Sequence, residues 1–220
     1  MILLGKIEYI NLAPFHVFLK RYINNTQTKQ SINYHKSYPA KINGLFKKRK
    51  VDAGFISSVE SFKGDFKRFD VGIVAQKEVR SVLIKKGTTK EDYESASSNA
   101  LAKVLNLKGE IIIGDKALKE FLKNPSNYQD LCSLWYEKEK LPFVFARFCA
   151  NKHIKFYEKL IKRFISSNKK IPQYILEKYS KKSGISKKDI KEYLKLISYE
   201  INHKEQKALM RFKKLTSQGF

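Results

Sequence analysis

Along the first eighty residues, apolar and polar positions change in blocks that predict strands and helices in turn. The run Ala53-Gly54-Phe55-Ile56 is apolar throughout and stops abruptly at Ser57-Ser58. Such a run reads as a buried strand, 53–56, whose carboxyl end opens into a hydroxyl-lined turn before a helix. A second corner of this kind lies upstream. A strand over 6–10 leads to Asn11, and Pro14 then opens a helix over 14–22 with Phe15, Phe18 and Leu19 at helical spacing. A short strand is predicted over 31–35. A helix follows over 39–48, with Pro39 at a favoured first position and Ile42, Leu45 and Phe46 as its buried stripe. Two more strands are predicted over 71–75 and 81–85.

The middle of the chain continues this rhythm. A helix over 95–107 carries Leu101, Val104 and Leu105 on its apolar side, with Ser97, Ser98 and Asn99 near its start. A strand over 110–113 reaches Gly114-Asp115, expected to cap a helix over 116–122. A turn at 124–127, a polar strand over 128–134 and an apolar strand over 142–146 follow. The last third predicts four helices, over 153–166, 172–182, 187–200 and 205–216, with Ser186 as N-cap of the third. Alternating strands and helices argue for an α/β protein with a parallel-rich sheet in each of two lobes. The expected division is residues 1–82 plus about 143–220 in one lobe and about 83–142 in the other. The C-terminal helices are free to pack on either.

Composition narrows the functional classes. The chain has 220 residues, 42% of them hydrophobic, enough for one large domain or two small lobes. It lacks the roughly 18 consecutive apolar residues of a membrane span. Lys6 and Glu8 break the apolar start, which lacks a small-residue cleavage site, so a cytoplasmic protein is expected. Cys132 and Cys149 sit in no CxxC pair and at no metal-ligand spacing, which reads as two reduced, partly buried thiols. The formal charge is +24, from 45 Lys+Arg against 21 Asp+Glu. The basic clusters are scattered over predicted helices, without a nucleic-acid-binding motif. They read as solvated faces that draw in small anions, not as a nucleic-acid or membrane surface.

No catalytic triad or metal signature is present. Polar strand-to-helix corners carry the ligand in open α/β sheets, so the candidates are the polar groups at those corners. These are Asn11, then Ser57 and Ser58, then Ser81 in the predicted inter-lobe strand, then Ser97, Ser98 and Asn99 at a helix start. Each has an ordinary alternative as a helix cap or a structural hydroxyl. Lys41 and Arg80 are charge candidates with solvated alternatives. His16 sits among apolar neighbours and reads as structural, and His35, His153 and His203 form no constellation.

Several segments resemble, in order, a menaquinone-biosynthesis family called MqnA. They are Gly5-Lys6-Ile7-x-Tyr9-Ile10-Asn11-x-x-Pro14, then Asp52-Ala53-Gly54-Phe55-Ile56-Ser57-Ser58, then Val71-Gly72-Ile73-Val74-Ala75 with Val79-x-Ser81-Val82-Leu83. Gly114-Asp115-x-Ala117-Leu118, Asp130-Leu131 with Trp135, and the segment Leu141-Pro142-Phe143-Val144-Phe145-Ala146 complete the series. One departure is Ala96-Ser97-Ser98-Asn99, where the family usually carries a Thr-Ser pair.

The resemblance implies a two-lobed fold like a type II periplasmic solute-binding protein, but intracellular. It implies chorismate dehydratase activity without a cofactor, on the futalosine route to menaquinone, with the dianion chorismate as the partner molecule. It makes Asn11 the catalytic candidate and Ser57, Ser58, Ser81, Ser97, Ser98, Asn99 and Lys41 the substrate-binding ones. Two rivals share the fold class. A 1,4-dihydroxy-6-naphthoate synthase-like enzyme would open with a Pro-Cys-Pro-Asn-like stretch after the first strand, which this chain lacks. A transporter's solute-binding module would need a leader or lipid anchor.

Overall fold

In the computed structural model, residues 1–23 and 32–218 are described. Position 31, where the second predicted strand begins, lies outside them. The elements are β1 Ile2–Lys6, a 3-10 turn Ile10–Leu12, α1 Ala13–Tyr22, β2 Ile32–Lys36, α2 Pro39–Lys47, β3 Ala53–Ser57 and α3 Ser58–Ser61. Then come β4 Lys67–Ala75, β5 Val82–Lys86, α4 Ala96–Val104, β6 Gly109–Ile113, α5 Gly114–Lys123, β7 Gln129–Asp130 and α6 Leu131–Glu139. The last are β8 Phe143–Ala150, α7 Ile154–Ser166, α8 Gln173–Ser183, α9 Lys187–Lys195, β9 Ile197–Glu200 and α10 His203–Gln218.

A six-stranded sheet has the order β2-β1-β3-β8-β4-β9, and a three-stranded sheet the order β6-β5-β7. The large sheet draws on chain before residue 76 and after residue 142; the small sheet lies wholly between. Parallel pairing is narrower than expected. β1 runs parallel to β2 and β3, while β8 and β9 pair antiparallel with their neighbours. The small sheet is antiparallel throughout. β8 returns from the small sheet into the gap between β3 and β4, and so enters it running the other way.

Three local expectations are corrected. The first strand is Ile2–Lys6, because Leu4 is buried in the pairing with both neighbours, whereas Ile7 to Tyr9 leaves the sheet as an extended wall. The polar strand expected at 128–134 shrinks to Gln129–Asp130. Asp130 accepts the N–H groups of Cys132 and Ser133 and starts a helix there. The helix expected over 187–200 ends at Lys195. Ile197 and Tyr199 then alternate with more exposed residues in the two-residue period of an edge strand.

The core is aromatic. Phe15 of α1 packs edge-on against Phe55 of β3 and Phe164 of α7, with Phe148 of β8 beside them. Trp135, Phe143 and Phe212 form a second knot joining α6, β8 and α10. Both cysteines are buried and unpaired, and burial pushes the Cys149 thiol up to about 12. Gly72 lies where β4 shifts register against β8. A methyl there would stand 2.3 Å from the Ala146 carbonyl oxygen, a backbone atom with nowhere to go. Gly72→Ala is therefore expected to lower stability by about 2–3 kcal/mol, measured as the shift of a urea unfolding curve at constant slope.

Candidate active site

A cleft of about 70 Å³ lies between the two sheets. Its walls come from the extended segment Ile7 to Tyr9 with the 3-10 turn after it, β3 and β8, the β4–β5 connection, and the starts of α2, α4 and α5. Asn11, Ser57, Ser81, Ser95 and Ser98 supply polar side chains together with the Tyr9 hydroxyl, against apolar Ile7, Phe55, Ile73 and Phe145. Among the described residues, no charged side chain lines it.

Of the eight sequence-predicted site residues, Asn11, Ser57, Ser81 and Ser98 meet in this cleft. The other four point elsewhere. Ser58 donates to the Val144 carbonyl and ties α3 to β8. Ser97 faces Val59 across the α3–α4 contact. Asn99 closes a loop by bonding both backbone groups of Asp92. Lys41 is exposed, one turn into α2 and outside the cleft lining. Arg80 bends back onto Glu78 at 2.7 Å. His16 is half-buried outside the cleft lining with its Nδ1 enclosed, and desolvation lowers its imidazole to about 3, which keeps it neutral.

The cleft residues are held by groups that sequence reasoning passed over. Asn43 of α2 accepts the Ser57 backbone N–H at 3.1 Å and donates to its Oγ at 2.7 Å, leaving the Ser57 hydroxyl proton free for the cleft. The sequence did carry a signal: Asn43 is a polar residue inside the apolar stripe Ile42, Leu45, Phe46. Ser95 caps α4 by accepting from Ser98 N, and donates to the Ser98 hydroxyl at 2.7 Å. Asp130 accepts the backbone N–H groups of Val79 and Arg80, fixing the approach to Ser81. The Asn11 turn is tied by Asp115, which accepts from Ile10 N at 2.9 Å, and by Tyr199, which donates to the Asn11 carbonyl at 2.6 Å. Gly114 opens α5 at φ +69 and lies so close to the Tyr9 ring that a Cβ would meet it at 2.9 Å. Asp115 therefore ties the two halves together through its side chain and does not cap α5.

The two halves also meet at the rim. The Tyr9 hydroxyl bonds the Glu94 carboxylate, Ala40 N donates to the Glu94 carbonyl, and Tyr38 stacks edge-on with Tyr93. A volume of 70 Å³ is well below the roughly 300–1,000 Å³ of sites for small organic ligands.

The fold is shared with binding proteins. An X-ray structure of an Archaeoglobus fulgidus protein superposes with a TM-score of 0.72 at 12% identity, covering 99% of this chain and 97% of that one. The periplasmic aliphatic sulphonate-binding protein of Escherichia coli superposes at 0.59, also at 12% identity, covering 99% and 86%. A Candida albicans protein described as having the generic periplasmic binding protein fold superposes at 0.56, at 12% identity over 99% and 90%. The molecule thus has the periplasmic-binding-protein architecture, with its cleft between sheets.

The sequence matches a family described as menaquinone biosynthesis over residues 2–108 and 88–218. It is also 48% identical over 212 residues to a Campylobacter jejuni protein named chorismate dehydratase, covering 96% of this chain and 95% of that protein. The chain belongs to this menaquinone-biosynthesis family.

Burial raises the Asp115 carboxyl to about 6, against the pull of the Ile10 N–H. The folded state thus binds this proton more tightly than the unfolded chain does. The stability it lends is complete below about pH 4 and is lost as pH rises through 6. A shift of this size corresponds to up to about 3 kcal/mol. Asp115→Asn keeps the acceptor for Ile10 and removes the titration. Its stability relative to the parent is expected to improve by about 2–3 kcal/mol between pH 4 and pH 7.5, measured by urea unfolding at both pH values.

Proposed function

We propose that this protein is a chorismate dehydratase, converting chorismate to 3-[(1-carboxyvinyl)oxy]benzoate and water on the futalosine route to menaquinone, in the cytoplasm. The observation that carries this reading is the convergence of Asn11, Ser57, Ser81 and Ser98 on one uncharged, two-sided cleft. The 48% identity to a relative of that name supports it.

The chemistry suits the site. The reaction removes the ring proton at the ether-bearing carbon and expels the neighbouring hydroxyl, which leave together as water while the ring becomes aromatic. It is redox-neutral and downhill, so the catalytic task is to hold the reacting groups in line and exclude bulk water. The substrate's two carboxylates are received by hydroxyls and by the N-terminal N–H groups of α4 and α5, which begin at the cleft. Ser57 is set as a donor by Asn43, and the +24 surface raises the encounter rate for a dianion.

Among the described lining residues there is no Asp, Glu, His or Lys to act as base. The enolpyruvyl carboxylate of the substrate is therefore the proton acceptor in this mechanism. Asn11 orients the ring, and Ser57, Ser81 and Ser98 bind. Ser58, Ser97 and Asn99 hold the walls in place. Opening separates a lobe of residues 1–82 with about 143–220 from a lobe of about 83–142.

The reading is tested with purified protein and chorismate, following loss of the diene absorbance and appearance of the aromatic product; no product would overturn it. Asn11→Ala is expected to fold with an unchanged circular-dichroism melt and to lose at least about a hundred-fold in kcat, in the range of losing one positioned catalytic donor.

A further inference from the structure

The sense of two cleft hydroxyls is fixed by backbone groups that only donate. The Ser57 N–H meets Asn43 at 3.1 Å, so the Asn43 atom there is the side-chain oxygen. The NH₂ end of Asn43 is then the end 2.7 Å from Ser57 Oγ, and Ser57 Oγ accepts. At the start of α4, the Ser98 N–H donates to Ser95 Oγ, and the Ser95 hydroxyl donates in turn to Ser98 Oγ at 2.7 Å. Ser57 and Ser98 each keep a hydroxyl proton, and among the described residues neither proton meets a protein acceptor. Both residues line the cleft. Their chain neighbours touch, since Val59 N faces Ser97 Oγ at 3.4 Å where α3 meets α4. The elements behind them are joined as well. Ala40 N, ahead of Asn43 on α2, donates to the carbonyl of Glu94, the residue before Ser95.

We infer that Ser57 and Ser98 form one carboxylate subsite, and that Asn43 is the positioning residue that makes Ser57 a donor there. The placement rests on the functional reading above, since it gives one of that substrate's two carboxylates a definite seat. Two donors are the complement of a carboxylate, whose oxygens both accept. A carboxamide has nearly the same outline but offers one oxygen and one NH₂ group. Its NH₂ would have to use the remaining lone pair of a serine oxygen, which leaves that hydroxyl proton enclosed without an acceptor and forfeits a hydrogen bond. The subsite therefore selects by the direction of its hydrogen bonds, and Asn43, which lies outside the cleft lining, sets half of that direction.

The test compares benzoate with benzamide, two probes that differ at this group, by calorimetric titration at pH 7.5. The native protein is expected to bind benzoate at least about ten-fold more tightly than benzamide; equal binding overturns the subsite. Asn43→Asp keeps the size of the side chain and the acceptor for Ser57 N, but turns the Ser57 proton away from the cleft and toward Asn43's place. Benzoate should then weaken and benzamide should tighten at least three-fold. A new negative charge acting only by repulsion would weaken benzoate and leave benzamide unmoved, and that result overturns the role of Asn43. Should Asn43→Asp fail to fold, Ser98→Ala decides the subsite. It should weaken benzoate at least five-fold and benzamide less than two-fold, and equal losses overturn the proposal. If the native protein leaves chorismate unchanged, the functional reading falls, and the two probes still decide the subsite.

Discussion

The backbone around Asn11 is gripped from both halves of the molecule. Asp115, from the first turn of α5, accepts the N–H of Ile10, while Tyr199, from the edge of the large sheet, donates to the Asn11 carbonyl. A 3-10 turn of three residues has little stability of its own. These two external bonds make it a fixed platform on which the Asn11 side chain, the Tyr9 ring and the start of α1 all take their positions. Because Asp115 follows β6 of the small sheet, the same bond ties the turn beside the large sheet to the small sheet across the cleft.

The chain carries a net charge of +24, yet among the described residues no charged side chain lines the cleft in which we propose that a doubly negative molecule binds. Fixed dipoles resolve the contradiction. A buried cation would itself need desolvation and a partner, whereas helix N-termini and oriented hydroxyls are already part of the fold. Two of the cleft serines have their hydroxyls set by a neighbour, Ser57 by Asn43 and Ser98 by Ser95, and Ser81 lies 2.9 Å from the Tyr193 hydroxyl. These polar atoms are held by the fold itself, and in the proposed reaction that arrangement removes reorganisation from the chemical step. The lysines lie outside the cleft, where they act at range.

Which parts were legible in the chain depends on the range of the interaction involved. The strand 53–56 and its serine corner, the Pro14 and Pro39 helix starts, and the Ser186 cap each rest on a few adjacent residues and lie where local pattern places them. The first strand was displaced by four residues because Lys6 to Ile10 also reads as extended, and only the pairing with β2 and β3 distinguishes sheet from wall. The edge strand after α9 is not distinguishable from helix in the sequence, because Ile197 and Tyr199 fit either period until β4 provides a partner.

The sequence by itself determined the α/β rhythm, the family resemblance and the corners where polar residues end apolar runs. Each of these is set by short-range periodicity or by motif order. Tertiary structure decided which hydroxyl at each corner faces the cleft. Ser57 and Ser58 are adjacent and chemically alike, yet one meets Asn43 and the cleft and the other meets Val144. It also decided that Asp115 and Tyr199, 104 and 188 positions from Asn11 in the chain, would hold the same turn. A hydrogen bond between such distant residues leaves no trace in local pattern, because its direction and its burial exist only once both sheets are assembled.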